Sequence, residues 1–568
     1  MRRAFVSVAL VVVVMLAGWL PVRVASQGAS QVTGPRGSVT GEPAAAGTAV
    51  LRGTVVAADT GAPVRRASIR VMAPDVSDNK ATTTDDQGRF ELRELLGGRY
   101  TVMASKTGFV SITYGQRRPG ERGTPVEVAP GQVIEKLTIA LPRGGVITGR
   151  IVDEAGEPLA EAQVQALRSQ FVPGGRRMMP ASRGDTTDDQ GSFRIYGLMP
   201  GEYVVSATVR NTNMMLMANG RPAAESDQGY APSYFPGTPS MSDAQRVTVG
   251  IGQEVSGITF GMTPTRVSRV SGRVIGGRPG EFDGFVMVMP DDGPNQVMGM
   301  GPGGGMVQPD GTFELPAVPP GRYLLRVQPR GNGDDALVGM TSITVAGADL
   351  SNVVVALQKP GTVSGRIEFE GGPPAGVPAS QFRVQPMATD PIGSRSFMTG
   401  PPRTADDYTF TIRGANGPNL MRVFGPPGWY VKAVDYGGED ITDTPVALAP
   451  GTDLQGVRIL MTQTVATLSG TVRDDRGNAV LDATVIIFPT DDTKWTFQSR
   501  FVRTGRPDTQ GRFEVKGLPA HTGYRVIAVQ GLEEMQAFDP EFLSSVRDRA
   551  DSLALAVGET KTLDVKLR

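Results

Sequence analysis

The 568-residue chain has no cysteine and a single histidine, His521. The first absence removes disulfides, a thiolate nucleophile, zinc–thiolate sites and a lipid-modified N-terminal cysteine. The second leaves a Ser-His-Asp triad only His521 to use and excludes a multi-histidine metal site. Net charge is also lacking: Lys+Arg and Asp+Glu are both 57, so no overall field favours nucleic acid or an acidic surface. Aromatic residues are sparse, at 6%, and of the three tryptophans only Trp429 and Trp495 lie beyond the first 26 residues. Long apolar runs are confined to the N-terminus.

There, Arg2 and Arg3 precede the apolar run Ala4 to Leu20, and Val24-Ala25-Ser26 offers small residues for cleavage. Residues 1–26 read as an export signal, predicting a protein of the periplasm, the cell surface or the medium. A membrane contact is expected only if this signal stays uncleaved. Residues 27–47 are rich in Gly, Ser, Thr, Ala and Pro and read as a flexible linker.

What is abundant is glycine (73) and proline (44), together about a fifth of the chain, set between strand-like runs. That composition fits an all-β protein with many turns. One stretch organises it: Thr186 to Ala207, a polar turn, a strand, a Gly/Pro turn and a second strand. Copies occur at Thr84 to Ala104, Gln308 to Val327 and Thr509 to Ala528, with a weaker one from Thr404 to Val434. A motif returning about once per 100 residues marks repeated small domains.

Five modules follow, at 48–142, 145–263, 266–358, 361–462 and 465–568, each opened by a strand carrying Gly53, Gly149, Gly272, Gly365 or Gly470. About seven short strands per module, with turns every 8–12 residues, predict a tandem array of antiparallel, Ig-like β-sandwich domains. Linkers of a few residues, such as Pro142-Arg143-Gly144, predict a semi-rigid rod or bent chain. A short helix is expected near 540–550, where Asp539-Pro540-Glu541 supplies an N-cap, a first-turn proline and an early acid. It occupies the slot held by Tyr114–Gly120 in module one and by Tyr230–Pro239 in module two.

These hairpins resemble the carboxypeptidase regulatory-like domain family. The resemblance rests on Thr187 to Phe193 with Leu198 to Tyr203, Asp85 to Phe90 with Leu96 to Tyr100, Asp310 to Phe313 with Val318 to Tyr323, and Asp508 to Phe513 with Leu518 to Tyr524. Module four keeps Asp406, Asp407, Tyr408 and Phe410, then Gly425 to Tyr430. It implies a transthyretin-like or carbohydrate-binding-like sandwich. The zinc peptidase domain is not implied, because nothing supplies its histidine pair.

No catalytic, cofactor or metal residues are assigned. The acids Asp85, Asp86, Asp188, Asp189, Asp310 and Asp508 read as turn caps, since one or two acids per turn fall short of six oxygen ligands for calcium. The pairs Asp406/Asp407 and Asp491/Asp492 would point to opposite faces if on strands. Gly299-Met300-Gly301-Pro302-Gly303-Gly304 matches G-x-G-x-x-G, but Pro302 denies the following helix that a dinucleotide site requires. Adhesin-like Lys–Asn bonds lack their lysine, and Asn352 is the only asparagine in a closing strand. Trp495, placed between strands, is a candidate for an exposed ring that stacks on a sugar, the other reading being that it binds nothing. Tyr114, Tyr230, Tyr234 and Phe235 are candidate contacts in the insertions, or else fold back over their own modules.

The chain therefore reads as an exported, non-enzymatic protein, a structural spacer or interaction module at the bacterial envelope. Its partner would be an envelope protein or a polysaccharide. The alternative is carbohydrate binding through exposed aromatic loops.

Overall fold

The computed structural model describes residues 47–73, 78–121, 123–209, 228–276, 284–291, 303–329, 337–389, 403–508, 510–533 and 535–568. The expected export signal and all but the last residue of the linker lie outside them, as does Gly299 to Pro302. Residues 47–568 form one compact unit. Among the described residues, no helix is long and apolar enough to cross a membrane.

The all-β expectation is met. Module one starts with a strand whose side chains alternate inward and outward: in Ala49–Ala57, Ala49, Leu51, Gly53, Val55 and Ala57 face the core. The other modules open with a corresponding strand. That strand is the middle of a sheet in every module. In module one it lies between Arg89–Leu95 and Val133–Leu141, over a second sheet built from Asp78–Thr83, Ser68–Ala73, Gly98–Ser105 and Ile112–Thr113. Module two repeats this, with Gly145–Val152 between Ser192–Leu198 and Glu254–Gly261. Module three joins its two layers into a closed barrel of seven strands. In module four, Tyr430–Tyr436 pairs with the closing strand Asp453–Thr462, giving a six-stranded sheet over a three-stranded one. Each module keeps its own apolar core.

The expected antiparallel arrangement needs one correction. The opening strand pairs antiparallel with the hairpin strand on one side but parallel with the closing strand on the other, in all five modules. Both strands run the same way because the chain crosses to the second sheet and back before it closes.

That parallel ladder is irregular, and the irregularity explains the five glycines. A Cβ on Gly53, Gly149, Gly272, Gly365 or Gly470 would fall inside van der Waals contact of a carbonyl oxygen on the closing strand, that of Leu137, Ile258, Val353, Val457 or Leu563. In modules one to four the residue just before that carbonyl is left-handed: Lys136 (φ 65°), Gly257 (81°), Asn352 (61°) and Gly456 (82°). The left-handed residue inserts a bulge and turns the carbonyl toward the glycine. Asn352 thus makes a backbone bulge. In module five the ladder instead breaks between Thr562 and Val565, and Asp564 Oδ1 accepts the Thr471 amide at 2.9 Å.

Over each glycine sits the hairpin phenylalanine. The same added Cβ would come 2.7 Å from the Phe90 ring, 2.9 Å from Phe193, 2.8 Å from Phe313, 3.0 Å from Phe410 and 3.2 Å from Phe513. Gly149→Ala should therefore destabilise module two by about 3 kcal/mol or more, because both the carbonyl and the ring must move. Denaturant unfolding of the variant checks this; an unchanged midpoint would refute the close-approach account.

Candidate functional site

The repeated hairpin is scaffold. Asp85 Oδ1 accepts the amides of Gln87 and Arg89 at 2.9 and 2.8 Å. Asp188 does the same with Gln190 and Ser192 at 3.0 and 2.8 Å, and Asp508 with Gln510 and Arg512 at 2.8 and 2.9 Å. Asp310 and Asp407 use a shorter turn, accepting both the amide and the hydroxyl of Thr312 and Thr409. The threonine before each of the first two acid pairs is buried: Thr84 Oγ1 accepts from the Ala67 amide, and Thr187 Oγ1 from Ala162, both at 2.8 Å. The hairpin tyrosine ends in the core with its hydroxyl tied back to the preceding turn. Tyr323 and Tyr524 donate to the carbonyls of Pro319 and Pro519 at 2.9 Å, and Tyr203 donates to Met199.

Four of these turn acids, Asp85, Asp310, Asp407 and Asp508, carry an acid sensitivity. The Arg89 amide holds the Asp85 carboxyl below its ordinary 3.8, and the Arg512 amide does so for Asp508. The hydroxyls of Thr312 and Thr409 lower Asp310 and Asp407. A carboxyl lowered by folding stabilises the fold above its unfolded value, and that stability is lost as pH falls through the folded value.

Trp495 is a correction. It is 6% exposed, not displayed on the surface. Its Nε1 donates to the Pro489 carbonyl at 2.7 Å and its ring stands edge-on to Phe488 at 5.9 Å. The cause is a second core in module five. In Ala483–Pro489, Val485 and Ile487 face the sandwich interior while Ile486 and Phe488 face outward into a cluster with Trp495, Val502, Ile527, Leu543 and Val546. A sugar cannot reach the ring. The insertion aromatics are half-buried: Tyr114 packs on the module-one core, Tyr234 on Leu167 and Val204, and Phe235 edge-on to Phe260 at 6.1 Å. Trp429 joins the module-four core against Phe369 at 5.1 Å. His521 closes its own turn, Nδ1 accepting the Gly523 amide at 3.0 Å, with its ring between Phe501 and Tyr524.

Two features were not anticipated from the sequence. The first is a cavity of about 900 Å³ in module three, walled by Phe285, Val288, Phe313 and Leu315 and rimmed by Arg273 and Glu314. It opens beside the side-chain-free run Gly303-Gly304-Gly305. Among the described residues, its walls are mainly apolar and bring no catalytic set together.

The second is the surface on which module five meets the rest of the chain. The helix there spans Pro540–Val546, and Asp539 caps it by accepting the Glu541 amide at 3.0 Å. Leu543 and Val546 bury on the outer core of module five. The other Asp539 oxygen accepts from Arg176 of module two, whose Nε pairs with Glu541 at 2.9 Å. Arg168 of module two pairs with Glu533. From module one, Arg117 pairs with Asp482 at 2.9 Å, and the backbones of Glu121 and Glu533 bridge. Phe171, Phe497 and Phe538 stack in sequence at 6.3 and 5.8 Å. Of the rod and the bent chain expected, these contacts fit the bent one, with the last module against the first two.

Module five also joins module four through buried charge. Arg422 donates to the Phe497 carbonyl at 2.9 Å and pairs with Asp443 at 3.4 Å. Burial pushes the Arg422 guanidinium down to about 10. Arg500 bridges Asp440 at 2.6 Å and Asp443 at 3.1 Å. Burial pushes Asp440 up, but bonds from Thr442 and Arg500 outweigh it and leave the group below its ordinary value. These groups pair with one another across the junction, although the buried Arg422 Nε has no hydrogen-bond partner.

Residues 50–142 and 146–213 each match the family model of the carboxypeptidase regulatory-like domain. Those matches cover most of module one and the first part of module two. No curated protein matches the chain. Among solved structures, the chain is similar to the Bacillus anthracis TIE protein (15% identity, TM-score 0.15), covering 55% of this chain and 51% of that one. It thus spans about half the length of that protein. The minor pilin GBS52 of Streptococcus agalactiae aligns at 14% identity and TM-score 0.20 over 38% of this chain and 94% of its own. A streptococcal ancillary pilin aligns at 14% and 0.18 over 54% and 98%. Scores of this size carry no argument about function.

Two outcomes are expected. Trp495→Ala should cost module five about 3–5 kcal/mol in denaturant unfolding, the range for emptying a core of a large aromatic; an exposed ring would cost almost nothing. Replacing Asp85, Asp310, Asp407 and Asp508 by Asn keeps a side-chain acceptor in each turn but removes its titration. The thermal midpoint of that variant should fall less between pH 5 and pH 3, about the carboxylate range, than that of the native chain. Equal losses would mean that these acids do not set acid stability.

Proposed function

We propose that this protein is an exported, non-enzymatic interaction module of the bacterial envelope. One observation carries the reading: the residues that repeat from module to module and resemble a site are used by the scaffold. The turn acids accept backbone amides, the glycines admit a carbonyl, and the Phe and Tyr fill cores. The modules differ instead in their insertions and in the surfaces those present. The spacer form of the proposal needs an extended array, so the docking of module five on modules one and two favours a compact interaction body. With Trp495 buried, the carbohydrate alternative retains only the half-buried Tyr114, Tyr234 and Phe235, and no observation favours it.

Cell fractionation should find the native chain outside the cytoplasm. The purified protein should be retained by isolated envelopes and turn over no peptide, ester or glycoside in a substrate panel. A cytoplasmic location, or a turnover that co-purifies with the chain through several columns, would sink the proposal.

A further inference from the structure

The junction of module five with modules one and two has a single charge polarity. Every ion pair described across it places the cation on module one or two and the acid on module five: Arg117 with Asp482, Arg168 with Glu533, and Arg176 with both Asp539 and Glu541. Complementary charge of this kind steers and registers a contact more than it cements one. The packing is correspondingly incomplete. A crevice of about 300 Å³ remains between Gly120, Arg168, Met199, Glu533, Met535 and Asp539. The apolar part is a short line of rings, Phe171 to Phe497 to Phe538.

Each side keeps an apolar core of its own. Modules one and two each have their own core, and module five covers its outer sheet with its own helix and Trp495. The two sides also belong to one chain, joined through modules three and four. A contact too weak to hold separate proteins together is sustained when tethering raises the effective concentration. Separation would leave folded modules and expose a basic face, Arg117, Arg168 and Arg176, opposite an acidic one.

We propose that this junction is a reversible electrostatic clasp. Module five docks in cis on modules one and two through its acids and releases when those charges are reversed or screened. Asp539 couples the clasp to local structure, because one carboxylate caps the helix and receives Arg176.

Small-angle scattering on the purified full chain tests this, with circular dichroism to monitor the fold. Arg168→Glu should raise the radius of gyration at low salt with β content unchanged. Adding Glu533→Arg to it should restore the native radius, which a merely misfolded variant would not do. In the native chain the radius should rise between about 0.01 M and about 1 M NaCl, as the Debye length falls from about 30 Å to about 3 Å. The clasp is overturned if Arg168→Glu leaves the radius unchanged or if the double reversal stays expanded. It is equally overturned if the compact form proves to have twice the chain mass, which would place the contact between two copies.

Discussion

One steric constraint recurs in all five modules: a glycine of the first strand faces a carbonyl of the last, too close for any side chain. The constraint arises because first and last strands run parallel with a bulge between them. The bulge rotates the carbonyl inward, and the space above the glycine is taken by the hairpin phenylalanine. The phenylalanine must reach that place from the neighbouring strand, so the turn before it sets the register. Two solutions exist. In modules one, two and five the capping Asp lies five residues before the Phe and accepts two amides. In modules three and four it lies three residues before, and a threonine hydroxyl replaces the second amide. The repeat visible in the sequence is therefore the outline of one packing problem solved five times.

Around this fixed sheet the second sheet is free to vary, because the glycine–carbonyl–phenylalanine contact does not involve it. Module three joins its layers into a barrel. Module four moves the strand after its hairpin, Tyr430–Tyr436, across to the closing strand, and Trp429 goes with it into the core. In module five the second sheet is buried on both faces. Tolerance lies where the constraint is absent.

The same division explains what could be read from the residues alone. The opening glycines, the Asp-Gly turns and the hairpin Phe and Tyr are local patterns with local physical causes, so the repeated hairpin and the all-β class were legible. The parallel closing strand was not, since pairing direction depends on how the chain crosses between sheets. Trp495 was misjudged for a specific reason. A strand with one wet face alternates, as Ser68–Ala73 does; the unbroken run Val485-Ile486-Ile487-Phe488 does not, and such a run calls for cover on both sides. The outer cover is Trp495 and the helix. Val204-Val205 in module two carries the same signal, answered by Tyr234 and Met241.

The insertions show how variation and partner binding come apart. Segments that differ between copies are natural places to look for contact with another molecule, because the scaffold does not require them. Here the module-one insertion and the module-five insertion meet within one chain. Arg117, beside Tyr114, pairs with Asp482 of module five, and the segment carrying Glu533 and Asp539 receives arginines from module two. The variation thus already has a physical cause: a surface that must fit one particular neighbour cannot be identical in all five modules. Any external partner competes with that neighbour for these faces or uses faces the docking leaves uncovered. The aromatic residues do not decide between these, since they are packed on their own modules. The charges do, because an arginine engaged by Glu533 is available to another carboxylate only after module five has let it go.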